Sequence, residues 1–341
     1  MDPFSNFDQN SSLGKRWIDV PSELEDLDGK KKNIRIEFMG DGKPRAIAFF
    51  DIDGTLAHLG AIHGKAIAEL FSEKKSAESA ELEETYYKGF KLGNSFREFD
   101  RMRGIYIDGH VDWKDPEVYL KDRFASHAEE IDQPGHLAHN IATDMLKAYG
   151  EIAARITEDL YKQNPEEFER ANIAPIFKLA QMYARLGIPM VGFTANAKVF
   201  VDKLAKYLKL SDIFLDIATD ETMVGGGKEI AIHHLIGKLK SKGIPIPEGR
   251  MIFVGDSLRG DIGTSVTARG KNAGIFGQGI LVLKDKDALI EVEKQINADP
   301  KLRHIADNID VQGFVVDDVP LDEKGNPMML SRFRNQFLKK L

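Results

Sequence analysis

The chain has 341 residues, enough for one large domain or two that share a border, since domains usually run to roughly 100 to 200 residues. Its 42% hydrophobic and 30% charged residues are typical of a folded globular protein. The net charge of −7 argues against nucleic acid as a partner. The absence of cysteine excludes disulfides and thiolate chemistry, and it fits a cytoplasmic protein.

The first residues and the hydrophobic runs predict neither secretion nor membrane insertion. The first residues are acidic and polar, where a signal peptide needs a positive start and an apolar run. Apolar runs such as Ala46–Phe50 are far shorter than the roughly 20 residues that cross a bilayer. We therefore expect no membrane partner.

The N-terminal part predicts a tail followed by a hairpin. Residues 1–32 show little hydrophobic periodicity and read as a loosely attached extension. Apolar and polar residues then alternate over 33–38, and Gly40–Gly42 supplies turn chemistry before the apolar run 46–50. This pattern predicts a hairpin that leads into a buried strand.

The middle of the chain predicts helices, and the remainder predicts alternating helices and strands. Helical spacing recurs in Ala61–Phe71 and Ala142–Leu160, and strand signals nearly vanish from about 60 to 170. Alternating strands and helices imply an α/β fold with a parallel sheet covered on both faces. Its later predicted elements are a helix from Pro175 to Gly187, strand Ile188–Phe193, helices Ala197–Leu208 and Glu229–Ser241, and strands Met251–Val254, Ile280–Leu283 and Phe314–Val316.

Three of the predicted strands end on polar residues. Asp51, Thr194 and Asp256 each follow an apolar strand, Asp256 after one intervening glycine. Ligands of open parallel sheets bind beyond the carboxyl ends of the strands. These three positions are therefore candidates for one site.

The segment 51–55, Asp-Ile-Asp-Gly-Thr, carries two carboxylates two residues apart at a strand end. Asp51 is a candidate nucleophile, because an aspartate with a pKa of about 3.9 needs no base to activate it at neutral pH. Asp53 is a candidate general acid and base at the same site, a role that favours a raised pKa. The alternative is a turn whose polar residues only cap a helix.

Two further segments supply an acidic loop and a cation. Gly255–Asp261, with acids at 256 and 261, suits Mg²⁺, which prefers one or two carboxylates together with water. Lys228 opens a helix, and a cation there would reduce the repulsion among neighbouring carboxylates. The alternatives are a helix cap for the acidic loop and for Thr194, and an exposed surface position for Lys228.

In this order the four segments resemble motifs one to four of the haloacid dehalogenase (HAD) superfamily: DxDGT at Asp51, Thr194, Lys228 and GDxxxxD from Gly255. The resemblance implies a Rossmann-like core and a magnesium-dependent phosphatase that works through an aspartyl-phosphate. It also implies that Thr194, Asn196 and Lys228 bind the phosphate group of the substrate. Its metal ligands are Asp51, the carbonyl of Asp53 and Asp256, while Asp261 binds the metal through water or orients Lys228.

The resemblance also implies a domain organisation and a partner. We expect a tail at 1–32, a Rossmann-like core at 33–58 and 173–341, and a helical cap domain at 59–172. The substrate would be a small phosphorylated metabolite. Arg97 and Arg101, four residues apart, are candidates for an anionic substrate group, although local acids and solvent exposure also explain them. Open alternatives are a phosphomutase, a phosphonate-cleaving enzyme and a non-catalytic protein that binds a phosphate ligand.

Overall fold

The computed structural model of the protein describes residues 16–71, 137–169, 171–223, 227–264, 277–308 and 310–316. These residues form a two-stranded antiparallel sheet and a six-stranded parallel sheet flanked by helices. The prediction of an α/β fold with a parallel sheet is therefore confirmed.

The N-terminal hairpin consists of β1 (Arg16–Glu25) and β2 (Lys31–Phe38), which pair antiparallel. The prediction of a tail over residues 1–32 is thus wrong from Arg16 onward. Alternate residues of β1, among them Val20 and Leu24, are buried, and they add to the apolar face that β2 presents. The hairpin partner of β2 also differs from the prediction. β2 pairs with the preceding strand β1, and a single bridge, Phe38 to Pro44, joins β2 to the segment that follows it.

The parallel sheet has the order β5-β4-β3-β6-β7-β8. β3 comes first in the chain among these strands and lies between β4 and β6 in the sheet. Every residue of β3 is buried, as expected for a strand covered by helices on both faces. Phe49 of β3 stacks on Phe253 of the neighbouring β6, with ring centroids 4.9 Å apart. The strands are β3 (Ile47–Asp51), β4 (Met190–Phe193), β5 (Ile217–Ala218), β6 (Met251–Gly255), β7 (Gly277–Leu283) and β8 (Asp310–Val315).

All five predicted helices are confirmed, with small shifts at their ends. The described helices are α1 (Gly60–Phe71), α2 (Leu137–Gln163), α3 (Pro165–Glu169), α4 (Ala174–Arg185), α5 (Lys198–Tyr207), α6 (Gly227–Ser241), α7 (Lys286–Ala298) and α8 (Pro300–Asn308). Helices α3, α7 and α8 and the two-residue strand β5 were not predicted. Among the described helices, none combines the length and the apolar character needed to cross a membrane.

The chain divides into two compact units. The first comprises Met1–His58, Glu169–Thr194 and Ala205–Leu341, and it contains both sheets. The second comprises Leu59–Phe168 and Ala195–Leu204, and its described part is helical.

Helices α1 and α2 pack against each other in the second unit. The buried rings of His63 and Tyr149 stack there at 6.0 Å between centroids, and the His63 Nδ1 and the Tyr149 hydroxyl share a hydrogen bond. Phe200 of α5 meets the His63 ring edge-on at 5.5 Å. The second unit therefore has an aromatic core of its own.

Candidate active site

The candidate site lies at the carboxyl ends of β3, β4 and β6. Asp51 pairs with Phe193 in the register of β3 and β4, and Phe50 pairs with Val254 in the register of β3 and β6. The residues that follow each strand therefore emerge at one edge. The chain runs from β3 to β4 on one side and later crosses to β6 on the other, so the site sits where the strand order reverses, a common ligand position in such sheets.

The ammonium group of Lys228 bridges a carboxylate of the first motif and a carboxylate of the fourth motif. Lys228, the second residue of α6, donates from Nζ to Asp51 Oδ1 at 2.7 Å and to Asp261 Oδ1 at 2.5 Å. Both carboxylates are buried, with 3% of Asp51 and 0% of Asp261 exposed. The Lys228 side chain is only 23% exposed, which argues against the surface lysine considered from the sequence.

The surroundings shift the pKa of both charged groups. Burial raises the pKa of Asp51 well above its ordinary value; the charges of Asp261 and Asp256 add to this, and Lys228 opposes them. Burial lowers the pKa of Lys228, but the charges of Asp51 and Asp261 outweigh burial and leave that pKa above its ordinary value. The lysine thus stays charged, and its charge does not fully offset what burial and the two neighbouring acids do to the pKa of Asp51.

The turn after Asp51 brings the backbone of the first motif close to Asp256 of the fourth motif. Gly54 has φ +74°, and its backbone N–H donates to the Ala57 carbonyl at 2.9 Å. A Cβ on Gly54 would lie 2.6 Å from Asp256 Oδ2. Glycine is therefore required twice, for the left-handed turn and for the approach of Asp256. Asp53 precedes this glycine and is half-buried.

The loop after β6 fixes Asp261 against the strand end. The backbone N–H of Ser257 donates to Asp261 Oδ2 at 2.8 Å, and the Ser257 hydroxyl accepts from the Gly260 N–H at 2.9 Å. A Cβ on Gly255 would lie 2.2 Å from the Asp261 Cβ, so only glycine fits there. Asp261 thus has one oxygen bound to the backbone and the other to Lys228, and its role stays a prediction.

The acidic cluster suits a hard divalent cation. Carboxylate oxygens of Asp51, Asp256 and Asp261 lie within 4.8 Å of one another. Mg²⁺ prefers oxygen ligands and usually takes one or two carboxylates, keeping water and phosphate oxygens as further ligands. Burial and then the charges of Asp261 and Asp256 raise the pKa of Asp51, and a bound cation would oppose this rise, which is a second sign of fit.

The remaining predicted residues differ in how far the structure describes them. Thr194 directly follows β4, is 2% exposed, and its N–H donates to the Ala218 carbonyl at 2.9 Å. Asn196 lies two residues further on, in the second unit, and is half-buried. Arg97 and Arg101 lie outside the described residues. The roles of all four stay predictions.

Two residues that touch the site were not singled out from the sequence. The Thr55 hydroxyl donates to Asp51 Oδ2 at 3.3 Å, so the two Asp51 oxygens have separate partners. The Phe193 ring centroid lies 5.3 Å from Lys228 Nζ, within reach of a cation–π contact. Thr55 belongs to the DxDGT pattern and could have been found there, whereas Phe193 reads only as the apolar end of a strand.

A protein-family model matches the part of the chain that contains the candidate site. The model of the haloacid dehalogenase-like hydrolases matches residues 46–265, from the start of β3 to the loop after β6. The chain belongs to this family. The match includes Asp51, Thr194, Lys228 and the acidic loop, and the prediction of a HAD-like hydrolase is confirmed.

Solved structures of HAD proteins resemble the chain at low identity. Among them are CbbY of Rhodobacter sphaeroides in complex with phosphate (19% identity, TM-score 0.38, covering 70% of this chain and 85% of that one) and the HAD protein YfnB of Bacillus subtilis bound to magnesium (15%, 0.37, 70% and 88%). The HAD-like protein SP0104 of Streptococcus pneumoniae is similar at 14% identity (0.37, 70% and 84%). A search of curated proteins found no match.

Proposed function

We propose that this HAD hydrolase is a magnesium-dependent phosphatase that hydrolyses a phosphomonoester through an aspartyl-phosphate on Asp51. The observation that carries the proposal is the bridge of Lys228 between the buried carboxylates of Asp51 and Asp261. A nucleophilic carboxylate that attacks a dianionic phosphoryl group needs a cation beside it, since like charges repel. Lys228 is held in that position by a second acid.

In the first step an Asp51 oxygen attacks phosphorus in line, so that an O–P bond forms while the bond to the leaving oxygen breaks. Asp53 gives its proton to the leaving oxygen. Lys228 neutralises charge on Asp51 and on the phosphoryl oxygens, and the Thr194 hydroxyl and Asn196 donate to those oxygens.

In the second step Asp53 takes a proton from water, which attacks phosphorus and releases inorganic phosphate and the Asp51 carboxylate. Asp51, Asp256 and the backbone carbonyl of Asp53 would hold Mg²⁺, with Asp261 a further candidate. When bound, Mg²⁺ supplies positive charge that draws the phosphate to the carboxylates and stabilises the charge that develops on its oxygens.

The proposal also includes the domain organisation, the substrate class and the localisation of the protein. We assign residues 59–172 to the helical cap domain that the family resemblance implies, and residues 33–58 and 173–341 to the catalytic core. The substrate is a small phosphorylated metabolite, nucleic acid is not a partner, and the protein is cytoplasmic. Arg97 and Arg101 are candidates for a contact with the substrate.

Removal of the metal is expected to abolish phosphatase activity without unfolding the protein. Exhaustive chelation should reduce phosphate release to background, leave the far-ultraviolet circular dichroism unchanged, and be reversed by Mg²⁺. Mg²⁺ should also raise the Tm, because it binds the folded cluster only. The rise should vanish in Asp256→Asn. Full activity after chelation would refute the metal requirement.

Replacement of Asp53 by asparagine should lower kcat more for substrates with a poor leaving group than for substrates with a good one. For alkyl phosphates we expect kcat to fall by about 10²–10⁴-fold, the usual contribution of general acid–base catalysis. For 4-nitrophenyl phosphate the first step needs no proton, so the loss should be about tenfold or less when that step limits the rate. Asp28→Asn, in an exposed turn, is the matched control. Equal losses on both substrates would contradict the acid role.

The experiment that tests the proposal as a whole is a screen of phosphorylated metabolites with Mg²⁺, scoring free phosphate and isomerised sugar phosphate in each reaction. A phosphatase releases phosphate in proportion to the substrate consumed. Isomerised sugar phosphate without net phosphate release would indicate a phosphomutase. If neither product forms from any metabolite, the proposal fails.

A further inference from the structure

The aromatic ring of Phe193 lies beside the ammonium group of Lys228 in the first unit. Lys228 Nζ lies over the ring, 5.3 Å from its centroid, which is the geometry of a cation–π contact. Phe193 is fully buried, and the Lys228 side chain is largely shielded from solvent. A cation–π contact is stronger when its partners are desolvated, so this contact falls in the stronger class.

The sheet and helix α6 fix both partners of this contact. Phe193 is the last residue of β4 and pairs with Asp51 in the register of β3 and β4. Phe193 also belongs to the same hydrophobic cluster as Ala231, which lies one helical turn after Lys228 on α6. The packing of α6 on the end of β4 therefore keeps the ring next to the ammonium group.

A ring suits this position better than a third acid would. An ammonium group has three N–H donors, and Lys228 directs two of them to Asp51 Oδ1 at 2.7 Å and to Asp261 Oδ1 at 2.5 Å. A further carboxylate would take the third donor and would add negative charge that repels a phosphoryl group. The face of an aromatic ring attracts a cation through its quadrupole but has no net charge. Phe193 therefore stabilises the cation without cancelling its charge.

We propose that Phe193 is a positioning residue, whose ring holds the Lys228 ammonium beside Asp51 and leaves the charge of that group for the phosphoryl oxygens. This inference rests on the proposed function for the role of Lys228 in the reaction. The attraction between ring and ammonium does not depend on that role, so it can be measured without a substrate. The competing explanation is that Phe193 only fills space in the core between β4 and α6.

A double-mutant cycle in urea measures the contact on metal-free protein. Phe193→Leu should raise the unfolding equilibrium constant, because it removes both buried ring surface and the attraction for Lys228. In the Lys228→Met background only the packing loss remains, so the increase should be about 2- to 30-fold smaller, which is the worth of one cation–π contact. Phe253→Leu is the matched control, because Phe253 is equally buried but stacks on Phe49, and its effect should be the same in both backgrounds.

Fluorinated phenylalanines at position 193 test the role in the reaction. One, two or three ring fluorines weaken the negative face of the ring in steps, while the side chain keeps nearly the same shape. With Mg²⁺ and 4-nitrophenyl phosphate, kcat/KM should fall with each fluorine, by about 3- to 10-fold in total, which lies within the worth of one cation–π contact. The same analogues at position 253 should leave kcat/KM unchanged.

The two experiments distinguish a failure of this inference from a failure of the proposed function. Equal effects of Phe193→Leu with and without Lys228 would show that the ring only fills space, and would overturn the inference. A kcat/KM that does not respond to fluorine at position 193 in an active enzyme would overturn it as well. Coupling of Phe193 to Lys228 in a protein that releases phosphate from no substrate would support the contact and refute the proposed function.

Discussion

Replacing Asp51 with asparagine is expected to lower kcat by about 10⁴-fold or more, because a neutral amide cannot attack phosphorus and losses of this size follow removal of a nucleophile. The measurement is phosphate release under single-turnover conditions. The native enzyme, quenched during turnover, should carry phosphate on Asp51 that mass spectrometry detects, and the variant should not. Phosphate release at near the native rate would refute the assignment of Asp51.

The same variant should be as stable as the native protein, or more stable, when metal is removed. Burial and the charges of Asp261 and Asp256 raise the pKa of Asp51, so the folded state disfavours its ionised form. The native protein therefore loses stability as pH rises above about 3.9, where the unfolded chain ionises, until the folded pKa is passed. Asparagine removes this loss, and its Tm advantage should grow over that window.

Asp216→Asn is the matched control for Asp51→Asn. Asp216 is also a buried aspartate with a lysine partner, Lys238, at 2.7 Å, and it lies beside β5. This change should lower the Tm and leave kcat almost unaltered. If both variants lost activity equally, the effect of Asp51→Asn would be structural.

The long buried elements could be predicted from the sequence because burial alone determines their pattern. β3 reads Ile-Ala-Phe-Phe before its aspartate, an apolar run that only a covered parallel strand explains well. Helix α4 begins with a proline in its first turn and ends before Gly187, as predicted from helix-terminus preferences.

The elements that were missed have weaker local signals. Strand β1 contains Pro21 and Ser22, and Ser22 is buried because its hydroxyl donates to the Phe214 carbonyl at 2.7 Å. That partner is 192 positions away in the chain, so the burial of a polar residue could not be foreseen. Strand β5 has two residues, too few for any periodicity.

For the candidate site as well, the residue types could be predicted from the sequence and the contacts between distant residues could not. Its residue types follow from the chemistry of strand ends, but the sequence left two roles open for Asp261, as a metal ligand through water or as the partner of Lys228. The contact with Lys228 depends on the loop that turns back from β6, where Gly255 admits the Asp261 side chain. Phe193 lies by the lysine only because β3 and β4 are neighbours.

Replacing Lys228 with methionine should reduce both stability and activity. Loss of the ammonium leaves Asp51 and Asp261 buried without a cation, and breaking a buried pair in this way costs about 3–5 kcal/mol. For a chain of 341 residues we expect the Tm to fall by about 4–7 °C in metal-free buffer. kcat should fall by about 10³-fold, since a charge that stabilises the transition state is lost.

Two further variants separate the electrostatic explanation from a simple packing defect. Lys238→Met, on the same helix and also removing the partner of a buried aspartate, should cost less, because Lys238 is 41% exposed and Asp216 keeps a hydrogen bond from the Ile217 N–H. The double variant Lys228→Met with Asp51→Asn should regain stability over Lys228→Met alone, because one of the two uncompensated charges is gone, yet remain inactive. If Lys228→Met matched Lys238→Met in Tm and kept native kcat, Lys228 would be a surface lysine and the proposed mechanism would lose its cation.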